Sequence, residues 1–294
     1  MNVFESIKKE FSIPNAYCYW KEYRRELTDL ILQEDESYKG ENTKNRRIAV
    51  LGAGPCNDID LERLSGYFGH IDLIDLDTES VKAGLINQGL ERCPYIHIKE
   101  ASLTGVSQEL TERFFNRLYI YVLEKGRTLR EKDFIERSIS EFMLVEKELF
   151  DSSRDFREIL PEKHYDMVVA SGLHSQLWSI LSYSWHILSG NVSEQIYGGK
   201  AIDPEPLHDC IREADDRFIP VMNEAILNSS KHRVLFSSEY DPNNPSEGAW
   251  QCIKDVRQRF TRGDIELTES TLVWPFFPEQ RRKYTMLIQD IKMC

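Results

Sequence analysis

Short apolar runs alternate with stretches of helical spacing along the first third of the chain. Apolar strands are predicted at residues 47–51, 70–75 and 95–99, and a helix follows each of the first two. Asn57 or Asp58 is placed to cap the first of these helices. This β-α-β-α-β order with short turns is typical of a parallel, doubly wound sheet.

The strand pattern stops at residues 107–160, where Leu110, Phe114 and Leu118 step by fours and predict helices without a strand. The four remaining strands are predicted at residues 165–170, 233–237, 265–274 and 283–291. Few polar residues separate the last two runs, so we expect them to pair antiparallel. The expected fold is α/β: a seven-stranded, mostly parallel doubly wound sheet with an antiparallel C-terminal strand pair and helical insertions.

The domain organisation follows from the same pattern. An amphipathic helix is predicted at residues 15–33, and a charged stretch then interrupts all periodicity. We therefore expect residues 1–45 to form an N-terminal helical segment and linker, and residues 46–294 to form one Rossmann-like sheet domain. Within that domain, residues 107–160 are expected to be a helical insertion and residues 175–230 a second helical region.

The composition is that of an acidic, globular protein. Lys and Arg number 37 against 49 Asp and Glu, so the formal net charge is −12, and 41% of the 294 residues are hydrophobic. The negative balance disfavours duplex nucleic acid as a partner, because phosphate binding needs a basic face. No run approaches the ~18 apolar residues of a membrane span, and the N-terminus lacks the apolar core of a secretory signal.

The six cysteines are scattered without a C-x-x-C pair. This pattern favours reduced thiols and a cytoplasmic location over a disulfide framework or a structural zinc site. No metal site is predicted, and no feature of the sequence indicates an oligomeric state.

A glycine turn lies between the first strand and the first helix. Gly52 and Gly54 allow the backbone to turn tightly beside a ligand, and the following helix offers free N–H groups. Asp75 stands at the tip of the second strand, about 20 residues on, where an acid binds both hydroxyls of a ribose. The combination predicts an adenosine-containing ligand. The alternative is a simple glycine turn in which Asp75 caps a helix.

Phosphate-binding versions of this motif fit less well. A dinucleotide fingerprint has a third glycine three residues after the second, and Asn57 occupies that position. The Gly-Lys-Ser/Thr of a P-loop is missing. The sequence therefore favours an adenosine ligand without phosphates, of which S-adenosylmethionine is the common example.

Several segments resemble the class I S-adenosylmethionine-dependent methyltransferases. They are residues 48–54, 71–77, 101–105 and 165–171, with the terminal runs 274–276 and 284–288. The resemblance implies a Rossmann-like fold, S-adenosylmethionine as the cofactor and a transferase activity of class EC 2.1.1.-. It also implies that Gly52 and Gly54 line the methionine and ribose of the cofactor, and that Asp75 binds the ribose with Asp77 nearby.

Four further cofactor positions follow from the resemblance. They are Ser102 and Leu103 around the adenine, and Ser171 and Gly172 beside the sulfonium. The chain departs from the family at Val50, where an acid often precedes the first glycine by two positions, and at Cys56, where a small residue often stands. Asn57 or Asp58 is expected to substitute at the amino-acid end of the cofactor.

The segment after the fourth strand bears on the acceptor. Residues 170–174 read Ala-Ser-Gly-Leu-His, without the Asn/Asp-Pro-Pro-Tyr/Phe of enzymes that methylate exocyclic amines of bases or the Pro-Cys of cytosine C5 enzymes. A nucleic-acid substrate is therefore disfavoured. We expect transfer to an O or N atom of a small or medium-sized acceptor, which the helical regions bind above the carboxyl ends of the strands.

Two residues are candidates for acid–base chemistry. His174 follows the fourth strand directly and is predicted as a general base, with a capping or packed histidine as the alternative. Glu239 follows the fifth strand by two residues and is predicted to orient or deprotonate an acceptor, with a solvated loop acid as the alternative. Trp20, Tyr23 and Arg24 on the first helix are expected either to cover the cofactor or simply to pack.

Two other function classes stay open on the sequence alone. A methyltransferase-like domain without catalysis, acting as a nucleoside-binding scaffold, is compatible with Val50 and with the lack of a sharp catalytic constellation. An NAD-dependent oxidoreductase shares the glycine turn and the acid, but the missing third glycine disfavours it.

Overall fold

The computed structural model describes residues 12–33, 43–103, 106–152, 156–243, 247–260 and 266–293. The strands in this part of the chain are β1 (Arg47–Leu51), β2 (His70–Asp75), β3 (Ile96–Glu100), β4 (Tyr165–Ser171), β5 (Ser230–Glu239), β6 (Glu266–Phe277) and β7 (Arg282–Lys292). They form a single seven-stranded sheet within the described residues, in the order β3-β2-β1-β4-β5-β7-β6.

The helices of the described residues fall before, between and after these strands. They are α1 (Ala16–Tyr19), α2 (Lys21–Ile31), α3 (Leu61–Tyr67), α4 (Thr78–Asn87), α5 (Gln108–Lys125), α6 (Glu131–Ser152), α7 (Phe156–Ile159), α8 (Ser179–Ile196), α9 (Glu205–Ser229) and α10 (Glu247–Phe260). None of those whose residues are described is long and apolar enough to cross a membrane.

The direction of the strand order reverses between β1 and β4. Strands β3, β2, β1, β4 and β5 run parallel, and β7 lies antiparallel between β5 and β6. The prediction of a mostly parallel α/β sheet with an antiparallel C-terminal pair is therefore confirmed. Open sheets of this kind bind ligands outside the carboxyl ends of the strands, at the point where the order reverses.

Helices cover both faces of the central strands. On one face, α2, α3 and α4 bury their apolar residues against β1, β2 and β4, with Leu27, Leu64 and Val81 fully buried. On the other face, α10 packs against β5. The central strands are buried on both sides, so β1 and β4 read as continuous apolar runs rather than as an alternating pattern.

The described residues divide into two compact units. The helical unit comprises residues 106–152 and 176–218, and the sheet unit contains all seven strands of the described chain. In the helical unit, α5 packs against α6 and α8, and Leu110, Phe114 and Leu118 are buried as their spacing predicts. The division into residues 1–45 and 46–294 stays a prediction, because part of the linker lies outside the described residues.

Helix α4 holds the glycine turn that follows β1. A Cβ on Gly84 would stand 2.1 Å from the carbonyl oxygen of Pro55, so only glycine permits this approach. Gln88, at the end of α4, donates to the carbonyl oxygens of Cys56 and Ile59 at 2.9 and 3.1 Å. In the dinucleotide motif, a third glycine allows the helix after the turn to pack closely. Here a glycine of the next helix, α4, allows the close contact with the turn.

Replacing Gly84 by alanine is expected to lower the free energy of unfolding by about 2 kcal/mol, because the added methyl group must push the turn away. At an ordinary helical position, alanine gains up to about 1 kcal/mol over glycine. Gly66 in α3 is the matched control, since nothing lies within 4 Å of its added Cβ. Denaturant unfolding of both variants checks the prediction, and similar gains in both would contradict it.

Candidate functional site

The predicted cofactor residues gather at the carboxyl edge of the sheet. Leu51 pairs with Ile74 in β2 and with Ala170 in β4. Gly52, Asp75 and Ser171, which each come one residue later, therefore lie at the same level on three neighbouring strands. This is the reversal point between β1 and β4, and all of these residues belong to the sheet unit.

The glycine turn adopts a backbone that side chains disfavour. Gly52 and Gly54 have φ values of 64° and 48°, in the left-handed region. A Cβ on Gly52 would stand 3.0 Å from Leu173 Cδ1, so a side chain at this position would press on Leu173 in addition to straining the backbone.

Asp75 ties the turn to the end of β2. Its Oδ2 accepts the Gly54 N–H at 2.8 Å, and its Oδ1 accepts the Asp77 N–H at 2.7 Å. Each carboxylate oxygen has a second lone pair, so the partly exposed Asp75 keeps capacity for two further donors. The capping role lies with Asp77, whose Oδ1 accepts the Ser80 N–H at 3.3 Å at the start of α4.

The segment between the turn and α3 is held by the N-terminal helix. The Asn57 carbonyl oxygen accepts a hydrogen bond from the Arg24 guanidinium at 2.9 Å, and the Asp60 N–H donates to Thr28 Oγ1 at 3.0 Å. Asp60 caps α3 through the Arg63 N–H. The prediction that Asn57 or Asp58 caps this helix is therefore wrong, because the turn runs two residues further before the helix begins.

Asp58 instead faces the end of β4. Its carboxyl group is hydrogen-bonded to the Ser171 hydroxyl and lies near the positive charge of Arg24. Burial raises the pKa of Asp58 despite these two favourable interactions. A buried carboxyl group thus stands beside the glycine turn, which the apolar Val50 at the end of β1 does not provide.

Polar side chains from α2, β4 and β5 meet next to Asp58. The Tyr23 hydroxyl lies 3.1 Å from Ser237 Oγ, and it also interacts with Ser171. Burial, with the nearby charges of Asp58 and Glu239, raises the pKa of Tyr23. We refer to this group as the β4–β5 cluster, and its members are Tyr23, Asp58, Ser171, Ser175, Ser237 and Glu239.

Glu239 is the last residue of β5 and is buried rather than solvated. Its Oε1 accepts the Ser175 hydroxyl at 2.7 Å, whereas Oε2 is buried without a partner among the described residues. Burial raises the pKa of Glu239, while the Ser175 hydrogen bond opposes this shift. The alternative interpretation as a solvated loop acid does not fit this environment.

His174 lies on the opposite face of β5 from Glu239. Its ring contacts Phe236, which alternates with Ser237 and Glu239 along the strand. Its Nε2 lies 2.8 Å from Asn223 Oδ1, and Asn223 Nδ2 donates to Asp255 at 2.9 Å. Burial lowers the pKa of His174 to about 4. These are the contacts of a packed, neutral histidine, and the general-base role stays a prediction.

The residues predicted to contact the adenine and the sulfonium lie at the ends of β3 and β4. The N–H of Ala101 donates to the Asp75 carbonyl oxygen at 3.2 Å, which brings Ser102 and buried Leu103 next to the end of β2. Gly172 has φ 59°, and its N–H donates to the Ser237 carbonyl oxygen at 2.8 Å. The roles of all four positions stay predictions, and residues 104 and 105 of the same segment lie outside the described chain.

An aromatic group on β6 covers this edge, and sequence reasoning gave it no role in the site. The Trp274 ring is stacked on Tyr23 with centroids 5.7 Å apart, and its edge lies 3.7 Å from the Cβ position of Gly172. Trp20 meets the same ring edge-on at 4.8 Å. The one signal in the sequence is the Trp-Pro-Phe-Phe run at the end of a strand, which by itself indicates only an apolar segment.

No protein-family model and no curated protein matches the sequence. Among solved structures, the chain is similar to PH0851, at 12% identity and a TM-score of 0.44 over 92% of this chain and 46% of that one. The chain thus spans about half the length of that protein. It is also similar to the N-methyltransferase NodS from Bradyrhizobium japonicum WM9, crystallised with S-adenosylhomocysteine, at 11% identity and a TM-score of 0.42 over 99% and 98% of the chains. A precorrin-6y C5,15-methyltransferase from Geobacter metallireducens GS-15 matches at 9% identity and a TM-score of 0.41 over 97% and 94%.

Proposed function

We propose that this protein is an S-adenosylmethionine-dependent methyltransferase acting on an O or N atom of a small or medium-sized acceptor. The observation that carries the proposal is the hydrogen bond from Gly54 N–H to Asp75 at the reversal point of the sheet. It joins the glycine turn to Asp75, whose carboxylate can accept further hydrogen bonds, and this is the arrangement that binds the ribose of an adenosine.

The chain's own residues fit each part of this cofactor. Gly52 and Gly54 offer bare backbone, and Asp75 offers carboxylate oxygens to the ribose hydroxyls. Asp58 is the residue we assign to the cofactor's ammonium group, because its carboxyl group is buried beside the turn and a positive charge there would offset the cost of burial. The remaining proposed contacts are Asn57 and Asp77 beside the turn, Ser102 and Leu103 at the adenine, and Ser171 and Gly172 at the methionine.

When bound, S-adenosylmethionine supplies an electrophilic methyl group. The chain then has to hold the acceptor atom in line with that group, and positioning alone provides much of the rate enhancement. Glu239 is the proposed acceptor-binding residue, because its Oε2 is buried without a partner among the described residues. His174 is the weaker candidate, since its ring is engaged on the other face of the sheet.

A small-molecule acceptor and a cytoplasmic location belong to the same proposal. The cysteines of the described residues carry free thiols, which suits a reducing compartment. The formal net charge of −12 disfavours a nucleic-acid acceptor.

Calorimetric titration of the purified protein tests the cofactor assignment. We expect S-adenosylmethionine and S-adenosylhomocysteine to bind and NAD not to bind. Binding of NAD alone would indicate an oxidoreductase instead. Binding of the sulfur nucleosides without methylated product from a cell extract would favour the scaffold.

A further inference from the structure

Glu239 has one buried carboxylate oxygen without a partner. Its Oε1 accepts the Ser175 hydroxyl at 2.7 Å, whereas Oε2 has no hydrogen-bond partner among the described residues. The residue is only 8% exposed. Among the described groups that influence it there is no lysine or arginine. A buried acceptor in this situation costs free energy unless a donor reaches it.

The groups around Glu239 favour a positively charged donor. Tyr23 and Tyr284 face it, and burial raises the pKa of both hydroxyls, so neither brings a charge. Asp58, the other acid of the β4–β5 cluster, adds negative charge near Tyr23. Arg24 lies beside Asp58 and Arg282 beside Tyr284, but neither is among the groups that influence Glu239. A hydroxyl or amide donor would therefore leave the Glu239 charge without a cation beside it, whereas an ammonium group both donates and compensates.

An aromatic surface lies beside the same strand ends. The Cζ3 and Cη2 atoms of Trp274 come within 3.7 Å of the Cβ position of Gly172, so a side chain at position 172 would contact this part of the ring. Tyr23 is stacked on one face of this ring, so what the ring presents beside Gly172 is its edge, an apolar surface for the carbon skeleton of a ligand.

We propose that the acceptor is an amine that binds as an ammonium ion, with one N–H donating to Glu239 Oε2 beside the Trp274 ring. The inference rests on the proposed methyltransferase function and narrows its acceptor atom to an amine nitrogen. An ammonium nitrogen has no lone pair, so one N–H bond must break, with its electron pair staying on nitrogen. The proton passes to Glu239 Oε2, which leaves a neutral carboxyl group and a nucleophilic amine.

The test compares amines with alcohols of the same carbon skeleton. Benzylamine and 2-phenylethylamine are titrated calorimetrically into the full chain saturated with S-adenosylhomocysteine, beside benzyl alcohol and 2-phenylethanol. We expect the amines to bind about 10-fold or more tightly than the alcohols, the effect of one charge-assisted hydrogen bond. Alcohols that bind as tightly as amines, or amines that do not bind, would overturn the inference.

Substitution of Glu239 tests whether this residue causes the preference for amines over alcohols. Glu239→Gln keeps the shape and removes the charge, so the amines are expected to bind about 10- to 100-fold more weakly. Glu269→Gln makes the same change at a partly exposed acid paired with Arg257, and is expected to match the wild type.

Two failures are distinguishable in this design. If the wild-type protein does not bind S-adenosylhomocysteine, the methyltransferase proposal itself is refuted. Normal binding of S-adenosylhomocysteine together with an amine preference that survives in Glu239→Gln would refute the role of Glu239 alone.

Discussion

Replacing Arg233 by methionine is expected to lower the free energy of unfolding by about 3–5 kcal/mol, the usual cost of breaking a buried ion pair. Arg233 is 1% exposed, and its Nε and Nη2 donate to the two carboxylate oxygens of Asp290, both at 2.7 Å. The same guanidinium donates to the carbonyl oxygens of Leu30 and Ile31 at 2.8 and 3.1 Å. Methionine would leave a carboxylate and the C-terminal carbonyls of α2 without these donors.

Denaturant unfolding measures the loss, and Arg257→Met is the matched control. Arg257 also makes a two-pronged contact, to Glu269, but its side chain is 41% exposed. An exposed pair contributes at most about 1 kcal/mol, so the control is expected to lose little. Equal losses of unfolding free energy in the two variants would contradict the greater contribution expected from the buried Arg233.

The Arg233 variant should also affect the site. Helix α2 carries Tyr23 and Arg24, which contact Ser237 and the Asn57 carbonyl oxygen. Because Arg233 binds the last carbonyls of that helix, its loss is expected to increase amide hydrogen exchange in α2 and to weaken S-adenosylhomocysteine binding. Unchanged exchange in α2 would show that the helix is held by its apolar contacts alone.

The sheet was predictable because its central strands are buried on both faces. The apolar runs at β1 and β4 are short, continuous and bounded by turn residues, so the sequence alone indicates that these strands are buried. The ends of β5 were not predictable, since Ser230 and Glu239 are polar. They belong to the strand because β4 and β7 provide pairing partners, and a local pattern contains no such information.

The position of the glycine turn was predictable for the same local reason. Gly52, Gly54 and Asp75 are placed by a strand–turn–helix motif that has a fixed chemical meaning. The contact between Gly84 and Pro55 joins residues on two different elements, and neither one signals the other in the sequence. The β4–β5 cluster is equally non-local, because Tyr23 and Ser237 are 214 residues apart.

The orientation of the His174 side chain could not be predicted from the sequence, for a different reason. A polar residue just after a strand reads as a site residue, but the side to which it points depends on the intervening backbone. Gly172 has a positive φ of 59°, which breaks the alternation of β4. The imidazole consequently lies against Phe236 and Asn223 rather than in the β4–β5 cluster.

Replacing Asp75 by asparagine is expected to weaken S-adenosylhomocysteine binding by about 3 kcal/mol, or roughly 150-fold. Both carboxylate oxygens accept backbone N–H groups, from Gly54 and Asp77, so an amide NH₂ would face one of these donors without an acceptor. The substitution therefore disturbs the turn and also removes the charge that strengthens hydrogen bonds from ribose hydroxyls.

Calorimetry on Asp75→Asn, with Glu79→Gln as control, separates this effect from a general change of charge. Glu79 is an exposed acid four residues further on, and its partner is Lys82. The control is expected to bind S-adenosylhomocysteine as the wild type does. If Asp75→Asn folds and keeps its affinity, Asp75 only braces the glycine turn, and the ribose must be held by other groups. A lower unfolding temperature than that of the control would measure the disturbance of the turn, and a loss of affinity larger than this destabilisation would belong to the ligand contact.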